Sequence, residues 1–108
     1  MQITEHKEGA LTVAALDGRL DTATAPATEE KLVALLEGGG VVADMSGVRY
    51  VSSAGLRVLL KAAKQARTKG VPFSVCGLQP AVQEVFEISG FDKIIPSHPT
   101  RAAALAGG

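Results

Sequence analysis

The residues best placed to do chemistry are two adjacent serines, Ser52 and Ser53, followed by Ala54 and Gly55. They stand where a polar, small-residue stretch hands over to a helical pattern. Serine is among the best helix N-caps, and a capping role is worth about 1 kcal/mol. A nucleophilic role needs more. Ser53-Ala54-Gly55 looks like half of a nucleophile elbow, but the leading glycine is missing and no base is in evidence. The two histidines, His6 and His98, lie near opposite ends, neither with a His or Cys at ligand spacing, so both read as structural or incidental. Gly38-Gly39-Gly40 is followed by no Lys-Ser or Lys-Thr and reads as a helix stop, not a phosphate loop. Cys76 is the single cysteine, which excludes an intramolecular disulfide and a Cys-based zinc site. Its place inside a strand pattern predicts an inert small side chain. No metal or cofactor site is expected.

The elements that must hold these residues follow from hydrophobic period. Leu11, Val13 and Ala15 alternate with Thr12, Ala14 and Leu16 as in a strand. A short strand around Ile3 should hairpin onto it through a turn near Glu8-Gly9. A first helix should start near Thr24, its N-cap, with Pro26 in the first turn. Ala25, Thr28, Leu32, Leu35 and Leu36 would share its face, and Gly38-Gly39-Gly40 would end it. Val41-Val42-Ala43 reads as a short strand, and Asp44 to Tyr50 as a connection rich in turn formers. A second helix runs from about Ser53 to Lys69, with Leu56, Leu59, Leu60 and Ala63 on one face and Gly70 as its stop. Phe73 and Val75 mark the next strand. Pro80 opens a third helix with Val82, Val85 and Phe86 on one face. Gly90 should adopt a left-handed conformation, with Phe91 packing back on Phe86. Ile94-Ile95 reads as a last strand closed by Pro96, followed by a weak helix from Thr100 to Leu105 and a loose Gly107-Gly108 end.

Strands alternating with helices predict a mostly parallel sheet of about five strands with about four helices. Right-handed crossovers between successive neighbours put the helices mainly on one face. The other face should be the more exposed, and Thr12/Ala14 and Ser74/Cys76 fit it. Residues 1–108 read as one domain without internal repeats or linker.

The 108 residues, 46% hydrophobic and 20% charged, have ordinary globular composition. At this size roughly 65% of the unfolded chain's surface can be buried, enough for one core. Eleven Lys plus Arg balance eleven Asp plus Glu. That balance argues against a general nucleic-acid or anionic-membrane binder. No stretch approaches the roughly 20 apolar residues of a membrane span, and the N-terminus is charged where a signal peptide is apolar. A cytoplasmic domain is expected. Arg57, Lys61 and Lys64 fall at i, i+4, i+7 on the outer face of the second helix. They are either a solvated face or a docking stripe for an acidic partner. Asp21 either starts a turn before the first helix or contacts a partner.

The segment Asp44-Met45-Ser46-Gly47-Val48-Arg49-Tyr50-Val51-Ser52-Ser53-Ala54-Gly55-Leu56 resembles the signature of STAS domains, in particular the stand-alone bacterial anti-sigma-factor antagonists. That signature reads approximately D-L-S-x-[VL]-x-[FY]-[MIL]-D-S-[SA]-G-[LI]. Gly18-Arg19-Leu20-Asp21 is similar to the family's G-x-[LI]-D, and Ile88-Ser89-Gly90-Phe91-Asp92-Lys93-Ile94-Ile95 to its closing segment. The likeness spans about Ile3 to Leu105. The resemblance implies a non-enzymatic regulator of transcription. It would bind an anti-sigma factor that is also a serine kinase and so release a sigma factor. The kinase phosphorylates a serine at the start of the second helix, which breaks the complex, and a serine phosphatase restores it. By position that serine is Ser53. Asp21 matches an acidic residue in the adjacent loop, and the partner-facing set would be Asp21, Ser52, Ser53, Ala54, Gly55, Arg57 and Lys61. Where the family often has Asp before the phosphorylated serine, this chain has Ser52, which removes a charge from the docking surface and makes Ser52 the alternative acceptor. Two other functions fit the same resemblance: a scaffold module of a larger signalling complex, or a small-molecule or lipid-binding module.

Overall fold

The computed structural model describes Met1–Gly107. Strand β1 (Gln2–Glu8) pairs antiparallel with β2 (Leu11–Leu20) through a tight turn in which Gly9 takes φ +63°. Helix α1 (Ala25–Leu36) follows, then β3 (Gly40–Val51), α2 (Ser53–Lys69), β4 (Phe73–Cys76), α3 (Pro80–Ser89), a 3-10 turn (Phe91–Lys93), β5 (Ser97–His98) and α4 (Arg101–Gly107). The five strands lie in the order β1-β2-β3-β4-β5, parallel from β2 onward. The expected α/β architecture is therefore present: five strands, four helices and a mixed, mostly parallel sheet. Gly108 lies outside the described residues, and Gly107, expected in a loose end, belongs to α4.

The sheet register assigns each side chain to a face. Ala14, Ala43 and Val75 share a row and turn toward α1, α2 and α3, where they join Leu16, Leu20, Leu32, Leu36, Leu59, Val82 and Phe86 in the main core. The alternate row, Val13 and Val42, turns the other way. That second face is not the exposed one expected from sequence. Helix α4 covers it, and Leu11, Val13, Val42 and Cys76 are buried with Ala104. Thr12 and Ala14 also belong to the helix-covered side, not to the far face. The pattern is misleading because apolar residues occupy both phases of β2, as strands covered on both faces require.

Three element boundaries differ from the expectation. Asp44 to Tyr50 is not a connection but the second half of β3, paired with β2 up to Val51. The turn formers are tolerated because β3 carries two extra residues relative to β2, one between Ala15 and Asp17 and one between Gly18 and Arg19, as in bulges. Gly47 is required there, since a Cβ would come within 2.9 Å of the Leu16 carbonyl oxygen. Ile94-Ile95 is not a strand. The amides of Lys93, Ile94 and Ile95 donate back to Gly90 and Phe91, closing a turn that buries Ile95 and exposes Ile94. The strand comes after Pro96, whose carbonyl accepts from Val75 N at 3.0 Å. The stop before this turn matches expectation: Gly90 has φ +75°, and Phe91 meets Phe86 edge-on at 6.0 Å.

The buried stripe of α2 is Gly55, Val58, Leu59, Ala62 and Ala66; of the expected face only Leu59 belongs to it. Leu56, Leu60 and Ala63 are half-buried flanks. Small residues win the inner positions because the helix approaches the sheet closely. A Cβ on Gly55 would sit 2.6 Å from the Leu20 carbonyl oxygen and 2.8 Å from Leu20 Cγ.

Candidate functional site

The site is built where β2 and β3 end together. Leu20 and Val51 form the last rung, and the Ser52 amide donates to the Leu20 carbonyl at 2.9 Å. The chain then enters α2. Ser52 is extended (φ −89°, ψ 177°), and its hydroxyl accepts from the Gly55 amide at 3.3 Å, so Ser52 is the N-cap. Ser53 is the first helical residue. Its side chain is exposed, and among the described residues its hydroxyl has no hydrogen-bond partner. Ser52 is half-buried and occupied; Ser53 is free.

Asp21 lies in the neighbouring loop, directly after Leu20. Its Oδ1 accepts from the amides of Ala23 at 3.1 Å and Thr24 at 3.2 Å. The Thr24 amide bond holds the Asp21 carboxyl below its ordinary range against the opposing effect of burial, with the Ala23 amide and Arg19 adding to the lowering. Thr24 has the N-cap position of α1 but does not cap with its side chain. Its hydroxyl donates to the Arg19 carbonyl at 2.8 Å and accepts from the Asp21 amide at 2.9 Å. The turn-starting role thus passes to Asp21, whose Oδ2 lies 3.6 Å from Arg19 Nε.

The remaining expected residues separate. Ala54 is half-buried at the start of α2, lining an open groove of about 740 Å³ between α1 and α2 with Arg57, Val58, Pro26, Glu29 and Val33. Gly55 is buried, so it positions the helix start and offers no contact surface. Lys61 leans toward α1, pairing with Glu29 at 3.2 Å. Arg57 is exposed without an ion pair among the described residues, and Lys64 is likewise exposed. The stripe is therefore not uniform: Arg57 is nearest Ser53 and free, while Lys61 is engaged in joining helices.

Sequence reading missed Arg19 and Tyr50. They face one another across β2 and β3, with the Arg19 guanidinium 4.4 Å from the Tyr50 ring centroid. An arginine and an aromatic at two strand ends were visible, but the pairing depends on the bulged register. It also missed the buried Asp44, which Arg101 contacts at 2.8 Å and 3.0 Å from α4. Burial pushes the Asp44 carboxyl up, but hydrogen bonds from Ser46 and the Arg101 pairing outweigh it and leave it below its ordinary value. Cys76 is buried, and burial, with Asp44 adding, pushes its thiol up to about 11. His6 pairs with Glu8 at 3.0 Å on the edge strand, and His98 sits in β5. No described helix is long and apolar enough to cross a membrane.

Known proteins share the family and the fold. The STAS domain family matches residues 2–104. A Bordetella bronchiseptica protein, BtrV, named as a candidate anti-sigma factor antagonist, is 43% identical over 108 residues, covering 98% of this chain and 93% of its own length. The anti-sigma F factor antagonist of Paenibacillus polymyxa is 29% identical over 104 residues, covering 94% of this chain and 88% of its own. The crystal structure of an anti-sigma factor antagonist from Mycobacterium paratuberculosis superposes with a TM-score of 0.90 at 28% identity, covering 98% of this chain and 92% of that one. With the family matched over almost the whole sequence and the five-stranded fold in place, this chain belongs to the STAS domain family.

Proposed function

We propose that this chain is an anti-sigma factor antagonist that binds an anti-sigma factor with serine kinase activity and is released when Ser53 is phosphorylated. The observation that carries the reading is the division of labour between the two serines. Ser52 holds the helix start, and Ser53 beside it is exposed with an unengaged hydroxyl. The names of the relatives supply the partner class.

A phosphate on Ser53 adds about −1.5 to −2 charges at neutral pH. It would stand at the N-terminus of α2, where negative charge is favoured by roughly 0.3–1 kcal/mol. The fold accepts the group. A docked partner would not, because a dianion buried in a packed interface loses its water and must be matched there by counter-charges. Restoration by a serine phosphatase follows from the same exposure. The action is binding, carried out in the cytoplasm with the sigma machinery, and the chain needs no cofactor for it. The α1/α2 groove is open, whereas small-molecule sites bury most of their ligand, so docking of a protein is favoured over a small ligand.

The test is titration calorimetry of the chain with the purified anti-sigma factor from the same genome, before and after incubation with ATP. Binding that is lost with ATP, with phosphate mapped to Ser53, supports the proposal. Phosphate on Ser52 alone, or binding indifferent to ATP, overturns it.

A further inference from the structure

Arg19 and Tyr50 occupy the rung just before Leu20 and Val51. The last rung turns into the core, whereas Arg19 and Tyr50 are exposed. The Arg19 side chain is 60% accessible, and Tyr50, at 43%, is one of three exposed large hydrophobic residues among those described. The Tyr50 ring holds the guanidinium carbon over its face, 4.4 Å from the centroid. Its charge neighbour, Asp21 Oδ2, is 3.6 Å from Arg19 Nε, an ion pair too long for a hydrogen bond. Asp21 Oδ1 is already taken by two backbone amides. Asp21 is thus the one charge partner of the Arg19 guanidinium, whose terminal nitrogens have no acceptor among the described residues. Arg49 and Arg57 are also exposed and without ion pairs among the described residues, set against Asp17 and Asp21 at the same end.

A guanidinium with its terminal nitrogens unengaged suits a planar, two-point acceptor, and carboxylates fit it in two parallel hydrogen bonds. Tyr and Arg are the side chains most enriched among residues that dominate interface energy. We infer that the Arg19–Tyr50 pair is a docking element that takes a carboxylate side chain of the partner protein, one rung before the Leu20–Val51 rung that leads into Ser52 and Ser53. The inference rests on the reading that the partner docks at the Ser53 end. It adds the chemistry recognised there: an acidic residue on the partner, facing the strand ends rather than the outer face of α2. It also assigns Asp21 a local task, keeping the Arg19 head near the site while leaving its donors free.

The experiment is titration of the purified anti-sigma factor against four chains: wild type, Arg19→Lys, Arg19→Glu and Ser53→Asp, with thermal unfolding as a check on each. Arg19→Lys keeps the charge but loses the fork, and should weaken binding about tenfold. Arg19→Glu should weaken it a hundredfold or more, since it sets two carboxylates together. Charge reversal of one acidic residue on the partner to Arg should then recover the Arg19→Glu chain. If Arg19→Glu does not fold, Arg19→Gln replaces it, with an expected loss of about thirtyfold. An Arg19→Glu chain that folds and binds within threefold of wild type overturns the inference. If Ser53→Asp is weakened at the same time, only Arg19 has failed. If Ser53→Asp also binds as wild type, the docking reading at this end has failed with it. If Arg19→Glu is weakened and Ser53→Asp is not, the docking element stands and the switch at Ser53 falls.

Discussion

Replacing the two serines one at a time should separate fold from function. The Ser52 hydroxyl caps the Gly55 amide at 3.3 Å, a long bond for an N-cap. Its loss in Ser52→Ala belongs in the lower half of the usual capping range, about 1 kcal/mol. For a domain near 100 residues that lowers the melting temperature by about 4–6 °C. Ser53 makes no such bond, so Ser53→Ala should change stability by less than about 0.5 kcal/mol, the range of ordinary surface substitutions. Ser53→Asp puts a carboxylate in the first turn of α2, where the helix dipole favours it by about 0.3–1 kcal/mol. Stability should therefore rank Ser53→Asp at or above wild type, Ser53→Ala beside it, and Ser52→Ala lowest. Affinity for the anti-sigma factor should rank differently: Ser53→Ala close to wild type, and Ser53→Asp weaker by about 2–5 kcal/mol. Calorimetric melting and titration on the same four preparations give both orders. If Ser53→Ala melted as low as Ser52→Ala, the cap would be shared and Ser53 would be structural. If Ser53→Asp unfolded the domain, a charge at this position could not act as a switch.

Gly55→Ala should destabilise by about 1–3 kcal/mol, since its Cβ meets the Leu20 backbone at 2.6 Å and the helix must move out; a midpoint unchanged in urea would refute the close approach. Asp44 has a folded pKa below its unfolded value, so its stabilising effect is fully present above the unfolded pKa and is lost as pH falls through the folded one. The stability gap between wild type and Asp44→Asn should accordingly be constant at neutral pH and shrink in acid below about pH 4; a gap that widened there would contradict the pairing. Arg101→Ala should loosen α4 and speed modification of the buried Cys76 by a thiol reagent by at least about tenfold, because opening exposes the far sheet face; an unchanged rate would show that α4 is held by its apolar contacts alone.

What could be read from sequence was whatever one local rule decides. Gly90 ends α3 with a left-handed residue and Phe91 folds back on Phe86, because a helix stop needs only its own few residues. The start of α2 at Ser53 was equally local. Reading failed where a distant contact overrules the local signal. Ser46 and Gly47 look like a turn, yet β2 supplies paired backbone and space for an extra residue, so the strand runs through them. The inner face of α2 was misassigned because leucines outrank glycine and alanine in any hydrophobicity count, while the backbone of Leu20 leaves room only for the small ones. Cys76 was placed on the far face, but the helix that buries it begins 25 residues later.

The same contrast runs through the site. Ser53 and Asp21 stand out in the sequence because each belongs to a short motif next to a helix start. Arg19 and Tyr50 could not, because their stacking depends on two bulges that shift β3 against β2. Those bulges have a functional consequence. Without the second one, between Gly18 and Arg19, Arg19 would lie opposite Arg49, and two like charges would face each other across the ladder. With it, Arg19 meets an aromatic ring, Leu20 meets Val51, and the Ser52 amide reaches the Leu20 carbonyl. One inserted residue therefore sets both the helix start at Ser53 and the Arg19–Tyr50 pair one rung before it. Deleting Arg49 should straighten the ladder while keeping Arg19 opposite Tyr50, and substituting it should leave the bulged register in place.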